Sequence, residues 1–141
     1  MAHDRDFLLD TSALLALRSD EAGADAVEKL LREAEPRGRP LLVSFMTRME
    51  LLYLIRREEG EEAAREALRM IDAFCIEWVS CEDPILEQAA AFKSRGGLSV
   101  ADSWIAATAA VRGAVLVHKD PEFVRFREIG QRQIATRAET A

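Results

Sequence analysis

Short apolar runs recur along this chain in alternation with longer stretches of helical periodicity, and acids stand where several of those runs end. Phe7-Leu8-Leu9, Leu41-Leu42-Val43, the run from Cys75 to Val79 and the run from Ala114 to Val117 read as strands. Each is apolar, too short for a helix, and bounded by charge or turn-formers. Residues 12–18, 22–35, 47–59, 61–73, 83–94 and 100–111 read as helices. The apolar stripe of 22–35 is Ala26, Val27, Leu30, Leu31 and Ala34, with Pro36-Arg37-Gly38 as its stop. In 61–73 the stripe is Ala64, Ala67, Leu68 and Ile71. Asp83-Pro84 reads as an N-cap with proline at the first helical position, and Gly113 as a C-terminal cap. Asp120-Pro121 opens a short helical turn through Phe126, and Gln133-Ile134-Ala135 reads as an edge strand. Strands that alternate with helices in this way need crossover connections, so the expected fold is α/β: three layers, α/β/α, around a mainly parallel central sheet.

A chain of 141 residues with 49% hydrophobic content, 7 Gly and 4 Pro has the makings of one domain with a sizeable core, and residues 1–141 show no linker or repeat. No apolar run reaches the roughly 18 residues of a membrane span, and the first residues are polar, so a soluble, cytoplasmic protein is expected. The net charge of −6 argues against a nucleic-acid binder held by overall charge. Cys75 and Cys81 match no zinc spacing and are too few for a disulfide framework; they read as small structural side chains.

Four acids remain to be explained. Asp10 closes the first strand, Glu50 lies in the first turn of the helix after the second, Asp102 in the first turn of the 100–111 helix, and Asp120 just beyond the last apolar strand. From Asp102 the chain descends about three helical turns, reverses at Gly113 and climbs a strand of comparable length, which returns Asp120 to the level of Asp102. All four thus fall at the carboxyl edge of the sheet, where open α/β folds place their ligands. Singly, each has a bland explanation. Asp10 and Asp120 suit helix caps, Ser99-x-x-Asp102 fits a capping box, and Arg57 is available to pair with Glu50 on its face with Met46, Tyr53 and Leu54. Four such acids at one edge are better explained by a shared cation, because gathered carboxylates raise one another's pKa. Oxygen ligands without His or Cys favour Mg²⁺ or Mn²⁺, and the chemistry natural to such a site is hydrolysis or transfer at a phosphate.

These residues carry a resemblance. Asp10-Thr11-Ser12-Ala13-Leu14, Glu50 in Thr-Arg-Met-Glu-Leu, Asp102 in Ser-Val-Ala-Asp-Ser-Trp-Ile-Ala-Ala-Thr-Ala, and Asp120 before Pro-Glu-Phe resemble the PIN-domain ribonucleases, most of all the VapC-type toxins of toxin–antitoxin pairs. The similarity runs from Phe7 to about Ile134. It implies metal-dependent cleavage of single-stranded or loop RNA by a homodimer, with a small antitoxin protein blocking the site. By the same resemblance Asp10, Glu50, Asp102 and Asp120 surround Mg²⁺ or Mn²⁺, with Asp10 and Asp102 the foremost ligands and Ser12 hydrogen-bonding within the site. A housekeeping ribonuclease, or an inert relative that only binds RNA or protein, would share these residues. A receiver-type phosphotransfer domain would need an acidic neighbour for Asp10, and a haloacid-dehalogenase-like phosphatase an Asp where Ser12 stands.

One departure concerns the position two residues before the last acid. Relatives often carry Thr or Ser there, and this chain has His118, read as packing against the strand end rather than reaching the scissile phosphate. Arg48, Lys93, Arg95 and Lys119, with Arg125 and Arg127 beyond them, are the candidates for RNA phosphates, while Trp104 reads as core. The helices at 47–59 and 61–73 hold more apolar residues than one sheet face needs. Leu51, Leu52, Tyr53, Ile55 and Met70 are therefore the expected ground for a twofold interface, and the same helices for an antitoxin whose Arg or Lys enters the acidic cluster.

Overall fold

Five strands make up the sheet in the computed structural model, which describes residues 5–134. In chain order the elements are β1 (Phe7–Leu9), α1 (Thr11–Arg18), α2 (Ala24–Arg37), β2 (Leu41–Ser44), α3 (Phe45–Glu59), α4 (Glu61–Asp72), β3 (Ile76–Val79), α5 (Asp83–Arg95), α6 (Val100–Arg112), β4 (Val115–His118), a 3₁₀ turn (Pro121–Arg125) and β5 (Gln131–Gln133). The strand order is β3-β2-β1-β4-β5 and every pairing is parallel. Side chains alternate across the strands, so the sheet feeds two cores. Phe7, Leu9, Leu41, Val43 and Val117 pack with α1 to α4, whereas Leu8, Leu42 and Leu116 pack with α5 and α6. The central strands are buried on both faces, which is why they appear in the sequence as unbroken apolar runs. The α/β/α expectation holds.

Several boundaries differ from the expected ones, each for a local reason. Pro36 does not stop α2 but lies within it; the stop is Gly38, whose φ of 65° gives the left-handed cap that returns its N–H to Glu35 O and that of Arg39 to Ala34 O. Ser44 Oγ accepts from Met46 N at 3.1 Å, so α3 starts at Phe45 and Glu50 falls in its second turn, not its first. In α5 the N-cap is Glu82, and Asp83 is already helical. Ala26, assigned to the buried stripe of α2, is exposed. The last strand ends at Gln133; Ile134 is buried just beyond it, and Ala135 lies outside the described residues. Leu51 and Ile55 are buried against the sheet and cannot serve an interface between copies, which leaves Met49, Tyr53 and Met70 exposed on α3 and α4. No helix among the described residues is long and apolar enough to cross a membrane.

Candidate metal centre

The strand order reverses at β1, which has β2 on one side and β4 on the other, and the acids gather in the crevice outside the carboxyl ends of β1 and β4. Asp10 continues the β1 ladder, its N–H bonding to Val117 O at 3.1 Å, and then turns into α1 as its N-cap. Asp10 Oδ1 accepts from Ala13 N at 2.9 Å and from the Ser12 hydroxyl at 2.7 Å. Ser12 Oγ in turn accepts from Lys119 N at 3.0 Å, so a single hydroxyl ties the end of β1 to the end of β4. No described residue donates to Asp10 Oδ2.

The other acids are also held by short local bonds. Asp102 N donates to Ser99 Oγ at 3.1 Å in the first turn of α6, and Asp120 Oδ1 caps the 3₁₀ turn by accepting from Glu122 N at 2.9 Å. Asp10 and Asp120 thus realise the capping roles open to them, whereas at α6 it is Ser99 that caps, through the Asp102 N–H. Glu50 does not pair with Arg57, which lies over the Tyr53 ring at 5.6 Å. Instead Glu50 Oε1 accepts from Thr11 Oγ1 at 2.6 Å, and Thr11 Oγ1 lies 3.0 Å from the buried Thr47 hydroxyl.

One oxygen from each of Asp102, Asp120 and Glu122 lies within 4.8 Å of the others. Asp10 and Glu50 border this trio and act on it through charge. Glu122 was not anticipated. Its place follows from the Asp120 cap, because the N–H that bonds back to the cap brings residue 122 to the same side of the turn; Asp-Pro-Glu was the only signal, and a surface acid after a cap is common.

Burial pushes the Asp10 carboxyl up to about 7 against the opposing pull of Ser12 and Ala13, with the charges of Asp102 and Asp120 adding to the rise. The Asp102 carboxyl is pushed up to about 6, first by burial, then by Asp120 and Glu50, with Glu122 contributing. Among the described residues, no Lys or Arg offsets either rise. Carboxylates without a counter-cation, and without His or Cys among them, fit a hard divalent ion such as Mg²⁺ or Mn²⁺.

His118 ends β4. It is fully buried, with its ring edge-on to Phe123 at a centroid distance of 5.0 Å, and burial lowers its pKa. It packs against the strand end and is also hydrogen-bonded there, to Asp120 N at 3.1 Å and to Gln131 Oε1 at 2.9 Å. The basic residues expected to meet phosphate are mostly engaged elsewhere. Arg48 pairs with Asp72 at 3.4 Å, Arg95 with Glu128, and Lys93 donates to Leu98 O at 3.0 Å. Lys119 lies 3.8 Å from Glu21, and Arg125 donates to Gly96 O at 3.4 Å. Trp104 is half-buried, edge-on to Phe45 at 5.0 Å.

The PIN-domain family model matches residues 7–129. Solved structures with the same fold include VapBC2 from Rickettsia felis bound to a promoter DNA fragment (TM-score 0.75, 17% identity, 92% of this chain and 98% of that one). DNA-bound VapBC from Salmonella typhimurium is similar (TM-score 0.73, 21% identity, 92% and 98%), as is the Sarcin-Ricin loop cleaving toxin VapC20 of Mycobacterium tuberculosis (TM-score 0.63, 20% identity, 79% and 87%). No curated protein matches the chain in sequence.

The raised carboxyls set a pH dependence. A group whose pKa rises from 3.8 to about 7 on folding holds its proton more tightly in the folded chain, so stability is greatest below the unfolded value and is lost as pH climbs through the folded one. Asp10→Asn removes that loss. Without added metal, the variant should melt above the wild type at pH 8, and the gap should close near pH 4; a gap independent of pH would contradict this.

Proposed function

The chain belongs to the PIN-domain family, and on that premise we propose that it is a divalent-metal-dependent ribonuclease, the toxin of a toxin–antitoxin pair. The observation that carries the reading is the convergence of Asp10, Glu50, Asp102, Asp120 and Glu122 at one sheet edge, where no Lys or Arg among the described residues offsets the rise of the Asp10 and Asp102 carboxyls. Such a crevice repels a phosphodiester unless a cation intervenes. Asp102, Asp120 and Glu122 would hold Mg²⁺ or Mn²⁺ together with the open oxygen of Asp10, and Glu50 would support it from α3. When bound, the ion supplies Lewis acidity, offsetting phosphate charge and making water acidic enough to attack near neutral pH. Ser12 keeps Asp10 and the end of β4 in register, and Thr11 keeps Glu50 turned toward Asp102. RNA is the proposed substrate, by analogy with the sarcin–ricin loop cut by VapC20.

Asp102→Asn preserves shape and removes the charge that couples to Asp120 and Glu50. With Mg²⁺ or Mn²⁺ and a labelled single-stranded or loop RNA, the wild type should cleave, and Asp102→Asn or excess chelator should reduce cleavage to background. Full activity in either case would remove the nuclease reading.

The partner proposed is a small antitoxin, as in the VapBC assemblies that share this fold. An anionic crevice accepts a guanidinium as readily as a metal, and Arg matches carboxylates with two parallel bonds. The antitoxin would place an Arg or Lys among the acids while its apolar side chains cover the toxin's helices. Replacing that cation with Ala should restore RNA cleavage in a complex that still forms; a complex that cleaves RNA with the cation in place would refute it.

A homodimer is proposed through α3 and α4, on which Met49, Tyr53 and Met70 are exposed. Light scattering at micromolar concentration should give twice the chain mass, and a monomer mass would contradict it.

A further inference from the structure

The turn that carries Asp120 and Glu122 is tied at both ends to one buried ring. His118 Nδ1 accepts the N–H of Asp120 at 3.1 Å, so the ring proton resides on Nε2, which donates to Gln131 Oε1 at 2.9 Å. That bond sets the orientation of the Gln131 amide, whose Nε2 donates to Phe123 O at 2.8 Å and to Phe126 O at 3.0 Å. The start of the 3₁₀ turn is thus fastened through Asp120, and its end through Gln131. Phe123, fully buried, fills the space between them against the His118 ring. Isolated 3₁₀ turns are weak, and Glu122 is itself exposed, so its carboxylate is placed only as well as the backbone beneath it. A Thr or Ser at position 118 has one hydroxyl and lacks the second ring nitrogen, on the far side, that reaches Gln131.

We propose that His118 and Gln131 are positioning residues for the acidic site: together they lock the 3₁₀ turn so that Asp120 and Glu122 stay beside Asp102. The role presupposes the metal-dependent site proposed above, but its test does not need RNA. Neither side chain belongs to the carboxylate cluster, so their removal changes geometry and leaves the number of ligands alone.

The test is calorimetric titration of the full chain with MnCl₂, beside thermal melts. His118→Phe keeps a ring against Phe123 and loses both nitrogens; Gln131→Met keeps length and loses the amide. His118→Asn brings a side-chain oxygen to the place of Nδ1 and keeps the acceptor for Asp120 N–H. Leu30→Ala, in α2 on the other face of the sheet, serves as a control for general destabilisation. His118→Phe and Gln131→Met should weaken Mn²⁺ binding by about tenfold or more, in the range found for residues that orient metal ligands. His118→Asn, which restores the bond from Asp120 N–H but not the one to Gln131, should recover part of that loss, and Leu30→Ala should melt earlier yet bind Mn²⁺ like the wild type. Unchanged affinity in His118→Phe and Gln131→Met, or affinity that falls in step with melting temperature in all four variants, overturns the proposal. A wild type that binds Mn²⁺ but cuts no RNA removes the ribonuclease reading alone; a wild type that takes no Mn²⁺ removes both.

Discussion

Burial of carboxylates outside β1 and β4, with their mutual repulsion added to it, is the constraint around which this end of the molecule is arranged. Asp10 is 3% exposed and feels Asp102 and Asp120, while Asp102 feels Asp120, Glu50 and Glu122. A fold gains nothing by gathering these charges and must hold them by other means. It does so with short local bonds: Ser12 and Ala13 on Asp10, Ser99 beneath Asp102, the Glu122 N–H on Asp120, and Thr11 on Glu50. Each bond contributes on the order of 1 kcal/mol, more where the acceptor is charged, and none cancels the charge itself. The net cost of the crevice is carried by the two cores on either side of the sheet, and a bound cation would relieve it.

Much of the fold was legible because its signals are local. Strands buried on both faces must be apolar throughout, so β1, β2 and β4 stand out, and the alternation with helices leaves only parallel pairing. Where legibility failed, the deciding contact was long-range or lay in the backbone. Pro36 looks like a stop, but near the C-terminus of a helix the left-handed Gly38 ends the chain of bonds. β5 is a short polar edge strand with no periodicity, and the apolar Ile134 after it drew the expected strand too far along the chain.

The site divides in the same way. Asp10, Glu50 and Asp102 were visible as charges in apolar surroundings, and Asp120 by its place after β4. Glu122 was not visible, because an exposed acid in a short turn looks like any surface residue until the Asp120 cap brings it beside Asp102 and Asp120. Thr11 and Thr47 were silent for a similar reason: a hydroxyl carries no mark of its partner, and Thr11 meets Glu50 across 39 positions of sequence. The pairings of the basic residues were equally silent. Arg48 and Arg95 gave no sign in the sequence that they pair with Asp72 and Glu128.

The central claim is that the carboxylates at this edge form one cation site. Crystals of the full chain soaked in Mn²⁺ and measured for anomalous scattering address it most directly. An anomalous peak within coordinating distance of both Asp102 and Asp120 is the result expected. Saturating Mn²⁺ with no peak in that crevice, or with peaks only elsewhere on the surface, would contradict it.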